Sequence, residues 1–211
     1  MARALSDSGL EVDYLFSGRP RDGYFNMEPF GDFRCYRGLS FCWHDGRIDY
    51  LATTLNNNLI RLLRDIRCLD LSNYDLVITD FEPITAWAAK RSKTPSLGIG
   101  HQYAFRFDNV PTSGHTVIGK LLLDHFAPAQ RTLGFHWHHF NSAILPPLIE
   151  PQAHTISCEP DKILVYLPFE NSTRVIEFLR VIKDVDFYFY CAVDAARDER
   201  NLHLRPLDRE A

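Results

Sequence analysis

Apolar positions along the chain fall into short blocks whose spacing predicts an alternation of helices and strands. Ala2, Leu5 and Gly9 read as the last turns of a helix, with Gly9 as its left-handed stop. Leu10–Ser17 follows as a strand (Val12, Tyr14, Leu15, Phe16) closed by Gly18. The chain thus opens inside a helix that leads into a strand. A doubly wound sheet ordinarily begins with a strand and a phosphate-binding turn ahead of such a helix. Arg19–Gly31 is a Gly- and Pro-containing loop, and Phe33–Trp43 alternates around Gly38 as a β-ribbon or a covering loop. From Asp49, the helical spacing of Leu51, Leu55, Leu59, Leu62, Ile66 and Leu69 predicts one long amphipathic helix. The run Asn56–Asn58 weakens that helix without breaking it.

Leu76-Val-Ile is a continuous apolar run of the kind a parallel strand buried on both faces requires, and Asp80 ends it. Pro83 suits the first position of a helix running to about Lys93. Ser96–Gly100 and Thr132–Trp137 are further strands, with a helix at Val117–Phe126 between them. Pro146-Pro147 and Pro151 mark an irregular linker. The pattern then restarts with a buried strand at Ile163–Leu167, a helix at Ser172–Lys183, and strands at Asp186–Cys191 and Asn201–Leu204. The expected organisation is a first Rossmann-like domain over 1–145, a linker over 146–160 and the start of a second such domain over 161–211. That second part has too few strands to close a domain by itself.

Composition narrows the class of function. In 211 residues, Lys plus Arg is 23 against 27 Asp plus Glu, a net charge of −4. Such a balance argues against a basic, phosphate-tracking nucleic-acid binder. With 45% hydrophobic and 24% charged residues the chain reads as a soluble globular protein. It has no apolar run near the roughly 18–20 residues that cross a bilayer and no secretory leader, so a cytoplasmic location is expected. The 5 cysteines are scattered without a C-x-x-C pair, which fits reduced thiols and gives no structural zinc site.

Candidate chemistry sits at the predicted strand ends. Asp80 and Glu82 fall at the carboxyl edge of a parallel strand, where loops of open α/β sheets converge on ligands. Either carboxylate could take a proton from a substrate hydroxyl; equally, either could cap the helix that begins at Pro83. In Gly98-Ile-Gly-His-Gln-Tyr, Gly100 permits close backbone approach, and His101, Gln102 and Tyr103 offer an imidazole, an amide and a phenol. The competing reading is a structural histidine under a loop. Asp80 and His101 are expected on one rim, because right-handed crossovers keep such strand ends together. His136-Trp-His-His-Phe invites a metal, but strand alternation puts only His136 and His138 on one side and no fourth ligand is spaced nearby. These two histidines are read as lining the crevice, with no metal. In Phe169-Glu-Asn-Ser, Glu170 and Asn171 precede a helix whose N-terminus could face a diphosphate, or Asn171 is simply its N-cap.

These segments carry a resemblance. Leu15-Phe-Ser-Gly-Arg, Met27-Glu-Pro-Phe-Gly-Asp-Phe, Tyr74-Asp-Leu-Val-Ile-Thr-Asp-Phe-Glu-Pro, Gly98-Ile-Gly-His-Gln-Tyr, Gly134-Phe-His-Trp-His-His-Phe, Ile144-Leu-Pro-Pro and Ile163-Leu-Val-Tyr-Leu-Pro-Phe-Glu are quoted as they stand. They resemble a group of largely uncharacterised prokaryotic glycosyltransferases. That group is similar to the two-domain GT-B enzymes, among them the transferase that adds N-acetylglucosamine to the lipid-linked peptidoglycan precursor. The resemblance implies an α/β fold of two Rossmann-like halves, the first without its opening strand and the second incomplete. It implies a nucleotide-sugar donor, an acceptor hydroxyl of unknown identity, no cofactor, and a membrane surface or a second copy of the chain as further partners. Asp80, Glu82 and His101 would act in catalysis; Gly100, Gln102, Tyr103, His136, His138, Glu170 and Asn171 would bind substrate. Because the group continues beyond both ends of this sequence, the expectation is a truncated chain that binds uridine diphosphate nucleotides poorly, transfers no sugar and self-associates. A non-catalytic remnant or binding module, and a sugar-nucleotide epimerase on the same plan, are the alternatives.

Overall fold

The computed structural model describes residues 2–112, 117–149 and 160–207. The chain is mixed α/β. In order it forms α1 (Ala2–Asp7), β1 (Tyr14–Ser17), β2 (Phe33–Tyr36), β3 (Trp43–His44), β4 (Arg47–Ile48), α2 (Tyr50–Asn56) and α3 (Leu59–Cys68). There follow β5 (Val77–Thr79), α4 (Pro83–Ser92), β6 (Ser96–Gly100), α5 (His101–Ala104), α6 (Val117–His125), β7 (Arg131–Phe135) and β8 (Ile144–Leu145). The last elements are β9 (Lys162–Tyr166), α7 (Ser172–Leu179), β10 (Asp186–Cys191), β11 (Arg197–Glu199) and β12 (Leu202–Pro206). Among the described residues no helix is long and apolar enough to cross a membrane, and no disulfide joins the cysteines.

Two compact units divide the chain: residues 1–40 with 56–150, and residues 41–55 with 151–211. Residues 41–55, expected in the first domain, pack in the second unit. Their β3–β4 hairpin turns through Asp45 and Gly46, both at left-handed φ (46° and 74°). Trp43 stacks on Phe169 with centroids 4.2 Å apart, and Gly46 N–H donates to the Phe169 carbonyl at 2.8 Å. Arg174 pairs with Asp45 at 3.3 Å. The hydrophobic pattern of the hairpin says that it needs a partner but not which one. Most of the expected linker, 150–159, lies outside the described residues, as does Cys158.

In the first unit β1 and β2 pair in parallel, from Tyr14↔Phe33 to Ser17↔Tyr36, so the expected ribbon is a crossover pair. The rings of Phe16, Phe30 and Phe33, edge to face at 5.0 and 5.3 Å, fill the space under the crossover. The predicted long helix is two. Asn58 starts α3 by accepting from Arg61 N–H at 2.8 Å, while Asn57 exchanges hydrogen bonds with the backbone of Ser40. An asparagine side chain that finds a backbone donor ends one helix and caps the next. β5, β6, β7 and β8 form an all-parallel sheet in that order. The core behind it joins Ile66, Leu69 and Leu71 to Val77 and to Ile84, Ala88 and Ala89 of α4, with Leu15, Tyr36 and Trp87 packed on. β5 is an edge strand of this sheet, and its expected burial on both faces holds on one only: Val77 and Thr79 are buried on the same face, while Ile78 on the other is 37% exposed.

The second unit has a sheet ordered β11-β12-β10-β9, parallel except for β11. Its core is Leu179, Phe187, Phe189, Cys191, Leu202 and Leu204. β9 was expected to be buried, yet it is the edge strand and Leu164 is 68% exposed. β11 had no apolar signature. It is held by charge instead: Asp198 accepts from Arg205 at 2.7 Å and approaches Nδ1 of His203 at 2.9 Å.

Candidate functional site

Four parallel strands end at one edge of the first unit's sheet, and eight of the ten sequence-derived candidates lie at or just after the ends of β5, β6 and β7. The β5–α4 turn is tight. Thr79 Oγ1 accepts from Glu82 N–H and donates to the Glu82 carbonyl, both at 3.0 Å, and Phe81 takes a left-handed φ of 51°. This turn sends the two acidic side chains to different tasks.

Glu82 is the N-cap of α4. Its carboxylate accepts from Ile84 N–H at 2.8 Å, Thr85 N–H at 2.7 Å, Thr85 Oγ1 at 2.7 Å and Ser17 Oγ at 2.6 Å. Four donors saturate the two oxygens and fix the negative charge on the positive end of the helix. Of the two sequence readings, capping is the one these four hydrogen bonds support for Glu82.

Asp80 is open to solvent on one side and closely packed on the other. Partial desolvation on the packed side raises its carboxyl above the ordinary aspartate range. The neighbour is Gly100 at the end of β6. A Cβ at Gly100 would stand 2.8 Å from Asp80 Oδ1 and 3.2 Å from Gln102 Oε1, so only glycine allows this approach. Asp80, Gly100 and Gln102 are therefore one cluster, reached from adjacent strands in the register Thr79↔Gly98.

His101 follows directly as the first residue of α5. Its Nδ1 lies 2.9 Å from the Phe135 carbonyl at the end of β7. A carbonyl can only accept, which assigns the proton to Nδ1 and leaves Nε2 of the neutral ring as an acceptor. His136 stacks on this ring at 5.5 Å and Phe105 meets it edge-on at 4.9 Å. The structure thus places Asp80 and His101 on the same rim, at the carboxyl ends of neighbouring parallel strands.

His136 and His138 belong to the loop between β7 and β8. Their Nδ1 atoms accept from the backbone N–H of His138 at 3.2 Å and of Phe140 at 2.9 Å. Metal-bound imidazoles donate from the nitrogen that does not bind the ion. Rings that accept there do not suit a metal, and among the described residues no group of three or more His, Cys, Asp or Glu could hold one.

Tyr103 is a core residue. Its ring is fully buried against Gly98, its hydroxyl donates to the Ala127 carbonyl at 2.9 Å, and burial pushes its pKa up to about 12. It offers nothing to a ligand. Glu170 and Asn171 lie in the second unit, after β9. Asn171 caps α7 by accepting from Thr173 N–H at 3.1 Å and Arg174 N–H at 3.3 Å, and the exposed Glu170 lies over Gly46. Two participants escaped sequence reasoning. Ser17 stands in the Leu15-Phe-Ser-Gly-Arg segment with nothing to mark its hydroxyl as a partner of Glu82, and the Phe135 carbonyl that orients His101 is backbone, which composition cannot reveal.

No family model, curated protein or solved structure matches this chain.

Proposed function

We propose that the chain is a glycosyltransferase of the two-domain GT-B type, with acceptor chemistry on the carboxyl edge of the first unit and a nucleoside diphosphate sugar taken by the second. In the reaction, the bond from the anomeric carbon to the diphosphate oxygen breaks and its electron pair leaves with the diphosphate. The acceptor oxygen bonds to that carbon, and its proton passes to Asp80 or to Nε2 of His101. The scheme uses no metal or cofactor.

The observation that carries this reading is the pairing of Asp80 and His101 on one rim. Asp80, its carboxyl raised by desolvation, and His101, with Nε2 left as an acceptor, are the two groups of this pair able to take a proton from an acceptor hydroxyl. The sequence resemblance supplies the reaction class. Glu82 drops out of the catalytic set on its hydrogen bonds, and Tyr103 drops out of the binding set on its burial. The edge strands β5 and β9, with exposed Ile78 and Leu164, also favour association of the chain with itself.

One observation favours a binding module instead. The first amides of α7 are already taken by Asn171 Oδ1, and Arg174 by Asp45, so a diphosphate must displace both. Calorimetric titration of the 211 residues with a panel of uridine diphosphate sugars separates the readings. The transferase reading expects binding of at least one of these sugars. Absence of donor binding across the panel overturns it in favour of the binding module.

A further inference from the structure

The loop joining β7 to β8 is held together by imidazoles acting as acceptors. His138 N–H donates to Nδ1 of His136 at 3.2 Å, Phe140 N–H to Nδ1 of His138 at 2.9 Å, and Asn141 N–H to Nδ1 of His139 at 3.0 Å. Each bond runs from residue i+2 back to the side chain of residue i, the imidazole counterpart of an Asx-turn. Phe140 and Asn141 both hold left-handed φ values, 48° and 54°, which side chains other than glycine adopt only under constraint. Three such bonds within six residues supply the constraint.

Every one of these bonds requires a neutral ring. A protonated imidazole donates from both nitrogens and has no lone pair with which to accept at Nδ1. The rings also lie in stacked pairs, His138 on His139 at 4.9 Å and His136 on His101 at 5.5 Å, so protonation sets like charges face to face. Facing His136 are His101 and Phe105 of α5 and Phe140 of the loop; facing His138 are His139 and Phe140. Of the two carboxylates at the β5–α4 turn of this edge, that of Glu82 is held by its four donors, and that of Asp80 is packed at Gly100 beside His101. It can balance charge on His101 but replaces none of the three Nδ1 acceptors.

We propose that His136–Asn141 is an acid-released latch on the rim that carries Asp80 and His101. The latch is closed while its imidazoles are neutral, with His136 stacked on His101, and opens as they gain protons with falling pH. It rests on the loop's own hydrogen bonds, so it stands or falls independently of the glycosyl-transfer reading.

Amide hydrogen exchange, corrected for the intrinsic effect of pH, tests the latch on the whole chain. At pH 8 the amides of His138, Phe140 and Asn141 should be protected; at pH 5 their protection should fall by about tenfold or more. Ile99 in β6 and Leu133 in β7 serve as internal controls and keep theirs. A triple His136→Asn, His138→Asn, His139→Asn variant supplies an oxygen that accepts from the same amides and does not titrate, so its protection should persist at pH 5. Should the triple variant fail to fold, His139→Asn alone is read at the Asn141 amide. Protection that survives acid in the unmodified chain overturns the latch, as does acid loss that the asparagine variant shares. So does a histidine nitrogen spectrum at pH 8 in which these three rings carry their proton on Nδ1.

Discussion

Replacing Glu82 by Ala removes a part of the fold rather than a catalyst, and the structure gives the size of the loss. The two amides it caps, Ile84 and Thr85, open a helix in which Ile84, Ala86, Ala88 and Ala89 have no exposed surface. Loss of an N-cap costs about 0.5–2 kcal/mol, and loss of a negative charge at a helix N-terminus adds about 0.3–1 kcal/mol. The Ser17 hydroxyl gives up a hydrogen bond to a charged group, worth about 1.5–3 kcal/mol, part of which water restores. The total is roughly 2–4 kcal/mol, and because the capped end of α4 is buried at Pro83, Ile84 and Ala86, fraying there cannot absorb it. With a urea slope of about 2 kcal/mol per molar, the midpoint should fall by roughly 1–2 M. Fluorescence of Trp87, on the same helix, reports the transition. Glu82→Gln keeps an acceptor and loses the charge, so it should fall between the two. A Glu82→Ala unfolding free energy within about 0.5 kcal/mol of the original refutes the capping assignment. A variant that folds normally but loses transfer would restore Glu82 as the base.

Asp80→Asn should act in the opposite sense. Desolvation raises the folded carboxyl, so its contribution is favourable in acid and is lost as pH rises through the raised value. The asparagine variant should therefore melt above the original at pH 7, with the gain gone below about pH 4; a lower melting point at pH 7 contradicts the desolvation. Gly98→Ala puts a methyl into Tyr103 Cζ, where the buried, hydrogen-bonded ring cannot yield, and should cost about 1–3 kcal/mol in chemical denaturation. A neutral outcome shows that the ring has room. Asn58→Ala should cost about 1 kcal/mol through the α3 cap, and no loss would mean the helix break is set elsewhere. Sedimentation of the whole chain should show concentration-dependent association that Leu164→Lys, on the open edge of β9, reduces. A monomer at every concentration contradicts that edge's role.

What the sequence made legible follows from which signals are local. Pro83 behind Glu82 set the start of α4, and the glycines at 98 and 100 set the end of β6, because a fixed φ and a missing Cβ act on their own neighbours. The position of Asp80 and His101 on one edge followed from chain direction alone. Tertiary choices were hidden. Nothing in Ile163-Leu-Val-Tyr distinguishes a central strand from an edge one, since both need the same residues and differ only in what stands beside them. Asn56–Asn58 looked like a weak helix interior because the partner of Asn57, the backbone of Ser40, is distant in sequence. Tyr103 looked like an exposed phenol beside a histidine. Its burial depends on Gly98 being bare and on the Ala127 carbonyl being within reach, neither of which is visible from residue types. The charged strand β11 exists through its pairing with β12 and has no apolar signature to find.

The central claim is that Asp80 and His101 together activate an acceptor hydroxyl, and the initial rate of uridine diphosphate release from a panel of donor sugars tests it most directly. Of Asp80→Asn and His101→Gln, the one that removes the base should lower the rate by about 10²–10⁴-fold, the usual contribution of a positioned general base, and the double variant should show at least that loss. Asn58→Ala, which touches only a helix cap, should leave the rate unchanged once folding is verified. Turnover that persists in the Asp80→Asn, His101→Gln double variant would contradict the account and move the reaction away from this edge of the sheet.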